Sequence, residues 1–301
     1  MTFALIEQRI DGNNQATFDF GQPIGAYVYG IRQFCLTSGT PGASMQDFGI
    51  SYIPADGTGV GYTQVTLQQR ISAGMDPAKT YAHVTVLAFL GGLTPQDLLL
   101  GNQQGMPLGV SGNQLAPLHP PAISCAVLGG FSLVAQSTTA DLDGIGAAVG
   151  MTCWPGNAAA TFSPVGTGEL VGNSAASGTI DIGHIIIGKE QPGIWLAALS
   201  VDAPNTTFSV PLGGTVTAAT VFVQSYYAQF DVSNEPIADF VSLTAGADGI
   251  AVSGTTVSGS FQIDYQGQCS AEHSSPYGGW VDTWPATVTL TVGSAVVVGI
   301  A

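Results

Sequence analysis

Apolar residues in this chain recur in short runs with a period of two, and glycine, proline, asparagine or aspartate cuts the runs every few residues. This is the pattern of β-strands separated by turns. The longest and most aromatic run is Ala26-Tyr27-Val28-Tyr29-Gly30-Ile31-Arg32-Gln33-Phe34-Cys35-Leu36. It has two further copies, Ser124-Cys125-Ala126-Val127-Leu128-Gly129-Gly130-Phe131-Ser132-Leu133-Val134 and Val221-Phe222-Val223-Gln224-Ser225-Tyr226-Tyr227-Ala228-Gln229-Phe230-Asp231. Aligned on Phe34, Phe131 and Phe230, the copies stand 97 and then 99 residues apart, which predicts an internal repeat. A second correspondence agrees with it: Ala16-Thr17-Phe18-Asp19-Phe20 precedes the first copy as Thr206-Thr207-Phe208-Ser209-Val210 precedes the third.

Around these anchors the patterning predicts further strands. Residues 3–9 and 16–20 flank Asp11-Gly12-Asn13-Asn14, a turn signal that predicts a hairpin. Residues 46–53, 62–70 and 81–89 complete a first unit, with a tight turn at Asp56-Gly57. Later runs at 146–153, 179–187, 194–201, 237–243, 258–265, 286–292 and 295–300 fill the second and third units. Residues 91–122 contain Gly91-Gly92 and five prolines with little alternation, so an irregular strap is expected there, with one weak helical candidate at 94–100. The expected fold is all-β: three tandem antiparallel β-sandwich units at 1–91, 123–193 and 194–301, with the strap at 92–122 between the first two.

Composition narrows the partners. The hydrophobic fraction of 45% is too high for disorder, and only 8% of residues are charged. Five basic residues face twenty acidic ones, and no lysine or arginine follows Lys189. A net charge of −15 repels phosphate backbones, which argues against nucleic acid as a partner. The first nine residues lack the basic and apolar regions of a secretory signal, and no apolar run reaches the roughly 18 residues that span a bilayer. Synthesis in the cytoplasm without a signal peptide, and no membrane insertion, are therefore expected. The four cysteines form no C-x-x-C pair and are expected as buried free thiols, with Cys125 and Cys153 the one intradomain pair worth testing.

Candidate chemistry is sparse. Asp141-Leu142-Asp143-Gly144 resembles the start of a calcium loop, because alternate carboxylates on a tight turn converge on a hard cation. The later ligands are missing, with Thr152 where a glutamate would stand, and a solvated turn is the simpler expectation. His83, His119, His184 and His273 show no zinc spacing, although His83 and His184 fall near matching places in two units. The most polar and aromatic loop, residues 269–280, together with Trp284 just after it, offers Tyr277, Trp280, Trp284 and His273 as binding residues. Glu272 and Asp282 could supply the two carboxylates of glycoside hydrolysis, but a contact surface explains the aromatic residues better. No nucleophile elbow, phosphate loop or dinucleotide fingerprint is present, and no cofactor other than calcium is suggested.

Tandem β-units with few charges and no active-site motif resemble a bacteriophage virion protein. The runs Tyr27 to Leu36, Phe48 to Ile53 and Tyr81 to Phe89 distantly resemble the H-type-lectin-like repeats of tail fibres, although the ligand residues of that family match no positions here. The resemblance implies a non-enzymatic virion component of the tail tip, fibre or head decoration. Its partners would be other virion proteins, copies of itself and a host surface glycan. Three similar units in one chain would then take the place of a homotrimer, as a pseudo-threefold ring or a short row. The alternatives are a carbohydrate-active enzyme and a bacterial adhesin or surface-layer module.

Overall fold

A computed structural model of the chain describes residues 2–39, 47–91, 97–117, 121–135, 144–154, 161–171, 176–188, 193–202, 204–230, 238–273 and 279–301. Among these residues there is no helix, and the chain is all-β. The first unit supplies β1 (Thr2–Asp11), β2 (Gln15–Asp19), β3 (Ile24–Thr37), β4 (Asp47–Pro54), β5 (Gln64–Ile71) and β6 (Tyr81–Leu90). The second supplies β7 (Leu98–Pro107), β8 (Pro121–Ala135), β9 (Gly144–Trp154), β10 (Thr161–Val171) and β11 (Ala176–Gly188). The third supplies β12 (Ile194–Val201), β13 (Asn205–Pro211), β14 (Ala218–Phe230), β15 (Ala238–Ser253), β16 (Thr256–His273), β17 (Trp280–Pro285) and β18 (Val288–Ile300).

The strands form three antiparallel sheets, and no sheet belongs to one unit. One runs β1-β6-β3-β15-β16-β13, with β17 added on β16; the second runs β7-β11-β8-β4-β5-β2; the third runs β12-β18-β14-β9-β10. Each is half of one unit joined to half of another, in cyclic order. The joins are β8 with β4, where Phe131 pairs with Ile50, β14 with β9, and β3 with β15, where Phe34 pairs with Ala245. The chain is therefore not a row of three separate sandwiches, because each sheet takes strands from two of the units.

The equivalence of the units can be read from their backbone irregularities. In β3 against β6, β8 against β11 and β14 against β18, the register slips past one residue: Arg32, Gly129 and Gln224. Such a bulge leaves one residue unpaired and re-aims the side chains beyond it. Two residues further on stand Phe34, Phe131 and Tyr226, whose rings meet pairwise at centroid distances of 5.3, 5.0 and 5.4 Å in edge or tilted contact. All three are buried, so the three sheets close on a pseudo-threefold axis through this triad. The third anchor is thus Tyr226 and not Phe230, which lies at the end of β14 opposite Val288. The mismatch arises because the first two copies share phenylalanine while the third carries tyrosine.

Beyond the bulge the same axis is lined by Gly30, Val127 and Phe222. A Cβ on Gly30 would stand 2.6 Å from the Phe222 ring and 3.1 Å from Val127, so glycine at one position makes room for phenylalanine at another. Further along, Phe3, Leu98 and Ile194 pair with Phe89, Ile187 and Ile300, and all six are in one buried cluster. The Thr85 and Thr220 hydroxyls, 3.0 Å apart, satisfy each other within this apolar region.

Several expectations change. The turn at Asp11-Gly12-Asn13-Asn14 exists, with Gly12 at φ 55°, but it makes no hairpin. β1 is paired along its whole length with β6 and β2 with β5, so the turn carries the chain from one sheet to another. Residues 92–122, expected as a strap with a helical candidate, contain β7, which pairs with β11 as β1 pairs with β6. Residues 109–112 then take the place that β2 and β13 hold in the other sheets. They lie along β10 through a Ser111–Val165 bridge and hydrogen bonds from Gly109 N to Gly166 O (2.8 Å) and Gly112 N to Pro164 O (2.7 Å). His83 pairs with Gln33 and Asp181 with Gly130, each next to an anchor, so the counterpart of His83 is Asp181 and not His184.

Truncating Phe34 to alanine is expected to cost about 3–5 kcal/mol, because a buried ring is lost from a site fixed on three sides. The Tyr226 hydroxyl has no hydrogen-bond partner among the described residues, so Tyr226→Phe is expected to stabilise by about 1 kcal/mol. Guanidinium unfolding midpoints of the two variants measure both, and a destabilised Tyr226→Phe would reveal a partner for the hydroxyl. Residues 1–93 expressed alone leave β3 without β15 and β4 without β8, and are expected to show no cooperative melting in circular dichroism.

Candidate functional site

Most buried polar groups serve the fold. Asn102 of β7 accepts from Tyr29 N (3.0 Å) and donates to Tyr29 O (2.8 Å), clamping the second unit to β3. Next to it, Gln104 Nε2 donates to the Tyr29 hydroxyl (2.8 Å) and to Tyr52 O (2.9 Å). The Tyr52 hydroxyl donates to Gln69 Oε1 (3.1 Å), whose amide nitrogen donates to Ile10 O and Gly12 O. Asp181 accepts from Gly105 N (2.7 Å); burial raises its pKa, and backbone donors at Gly105 and Tyr52 oppose that rise. Burial likewise raises the pKa of Tyr29 and of Tyr52. These groups satisfy one another, as a polar network between sheets must.

The bulge residue Arg32 lies 3.2 Å from Glu7 Oε2 through Nε, without hydrogen-bond alignment, and 3.8 Å from Asp248 through a terminal nitrogen. Glu7 also meets His83 Nδ1 at 3.1 Å. Cys35 and Cys125 are free thiols, and burial pushes the Cys125 thiol up to about 12, while the side chain of Cys153 lies outside the described residues. No group of three or more metal-ligating side chains occurs among the described residues. Asp141, Asp143, His119 and Tyr277 lie outside the described residues. No helix among the described residues is long and apolar enough to cross a membrane.

The aromatic loop singled out from sequence becomes a strand extension. β16 runs on past its partner β15 to His273, turns back as β17, and pairs His273 with Trp280, Ala271 with Asp282 and Cys269 with Trp284. Of the four binding residues suggested, His273, Trp280 and Trp284 are thus on one ladder. Glu272 pairs with Val281, so the two acidic positions considered for hydrolysis are not opposite one another.

Where β16 passes from β15 to β17, an open cleft of about 480 Å³ is lined by Val241, Tyr265, Gln266, Gly267, Gln268, Trp284, Pro285 and Ala286. Its floor is continuous with the core: the buried Tyr265 ring packs on Phe240 at 5.8 Å, and Phe240 on Phe48 at 5.0 Å. Gly267 is required here, since a Cβ would stand 2.6 Å from the Tyr265 ring. Sequence reading missed Tyr265, Gln266 and Gln268, which look like an ordinary alternating strand; the signal is the cross-strand partner, legible only in space. A smaller cleft of about 330 Å³ beside Tyr226 and Tyr227 is walled otherwise by small and uncharged side chains.

Scanning the sequence against protein-family models gives no match, and neither does comparison with curated proteins.

One buried titratable group gives a direct test. His184 on β11 is 8% exposed, its Nδ1 has no partner among the described residues, and burial lowers its pKa from 6.5 to about 4. Below pH 6.5 the unfolded chain takes up a proton that the folded chain refuses. Stability from this group is therefore complete above pH 6.5 and is lost as pH falls towards 4, by about 3 kcal/mol in all. Against His184→Leu, the wild type should lose that extra stability across this window in urea titrations; parallel pH profiles would contradict the assignment.

Proposed function

We propose that this chain is a non-enzymatic structural component of a bacteriophage virion, at a tail tip, in a fibre or as a head decoration, and that it acts as a covalent pseudo-trimer. The observation that carries the reading is the axis at Phe34, Phe131 and Tyr226, about which three units exchange strands. A homotrimer exposes three identical surfaces and depends on protomer concentration; one chain holding the same geometry does not. It can also carry three different surfaces, which suits a position where a symmetric particle meets unlike neighbours. The scarcity of charge fits a chain that engages its partners through sheet faces and edges.

Two measurements test this. Light scattering should give the free chain a monomer mass of 30.6 kDa, since the threefold is already closed within it. Imaging of particles that carry the chain should place it on or beside a threefold or sixfold axis, in contact with other virion proteins. A stable homotrimer in solution, or polysaccharide cleavage abolished by Glu272→Gln, would overturn the reading.

A further inference from the structure

The connection between the matching strands β5 and β6, β10 and β11, and β16 and β18 differs among the three units. From β5 to β6 it is residues 72–80 and from β10 to β11 residues 172–175, whereas from β16 to β18 it carries β17. The extension departs from the repeat, and two of the four tryptophans of the chain, Trp280 and Trp284, fall in it. A repeated scaffold needs no such addition for its axis, so the added strand points to a local task.

What the extension creates is the Tyr265–Trp284 cleft, and we propose that this cleft is a binding site for a neutral saccharide. Its volume of about 480 Å³ lies in the range of small-ligand sites. Trp284 is half-buried and offers an electron-rich indole face, against which the C–H face of a pyranose packs while its hydroxyls stay at the rim. Gln266 and Gln268 each bring an amide that both donates and accepts, the pairing that vicinal hydroxyls require. Gln266 is exposed, and its Nε2 reaches Asp264 at 3.4 Å, leaving the amide oxygen as an acceptor. No lining residue is charged and no lysine or arginine follows Lys189, so sulfated, phosphorylated or sialylated sugars meet no counter-charge. The buried Tyr265, seated on Phe240, keeps the floor rigid, so little ordering entropy is lost on binding.

The inference does not depend on the virion reading, because the cleft is complete within one chain. The full chain is titrated with maltotriose, cellotriose, a galactose trisaccharide and tri-N-acetylchitotriose, with a heparin-derived tetrasaccharide as the anionic arm. Tryptophan fluorescence and saturation-transfer NMR are the readouts. At least one neutral trisaccharide should bind, with its ring C–H protons receiving saturation from aromatic resonances. Trp284→Ala should weaken it at least tenfold, Trp284→Phe should restore part of the loss, and Gln266→Ala or Gln268→Ala should cost several-fold. The proposal fails if no neutral probe binds, if only the heparin fragment binds, or if binding survives Trp284→Ala. The saturation-transfer pattern on the wild type decides the matter even if a variant does not fold, while the monomer mass and particle position test the assembly reading separately.

Discussion

A strand inside a sheet must find hydrogen-bond partners on both edges, because buried peptide groups left unpaired are costly. In each unit the long strand, β3, β8 or β14, finds one partner within its own unit and the other in a neighbour. That requirement closes the ring: β8 takes β4, β14 takes β9, and β3 waits for β15, with Phe34 reaching Ala245 across most of the chain. The first sheet is therefore incomplete until the third unit has been made. Such distant pairing places the fold among those that form slowly, since loop-closure entropy is spent before the contact is gained.

The axis shows what this closure demands of side chains. At the bulge level the anchors are nearly identical in shape, Phe34, Phe131 and Tyr226, and edge-to-face contact among three rings is the favoured aromatic geometry. At the next level the demand is only on summed volume, and Gly30, Val127 and Phe222 meet it unequally. The bulge residues diverge fully: Arg32 reaches Glu7 and Asp248, Gln224 donates to Ala126 O at 2.8 Å, and Gly129 has no side chain. Backbone geometry is kept where sequence identity is not.

This explains what could be read from the sequence. Strand existence was legible, because alternation and turn residues are local, and so was the repeat between the first two units, where Phe34 and Phe131 are the same residue. Alignment on phenylalanine displaces the third copy by four residues, because shape and not identity is kept at Tyr226. Pairing partners were not legible: a turn such as Asp11-Gly12-Asn13-Asn14 sets a change of direction without saying which strand lies alongside. β10 carries Pro164, Gly166 and Gly168 and so lacks an alternating signature, yet it is held by β9 along its length. Of the residues lining the Tyr265–Trp284 cleft, Trp284 was legible by its type, whereas Tyr265 and the two glutamines became visible only once β17 lay beside β16.

The pattern of divergence among the units indicates where function can be added. The strands nearest the axis are matched in all three units down to their bulges, since each touches both others and a change in one is felt by two. Strands at the outer edges have one neighbour and vary: residues 109–112 stand where β2 and β13 lie elsewhere, and among the described residues β17 appears in one unit alone. Loss or gain of an outer strand leaves the triad untouched, so the outer halves of the sheets can diverge at little cost to stability. A homotrimer has no such freedom, because any change is copied three times. By joining the units covalently the chain keeps the threefold core while letting one outer edge acquire an added strand and the cleft beside it.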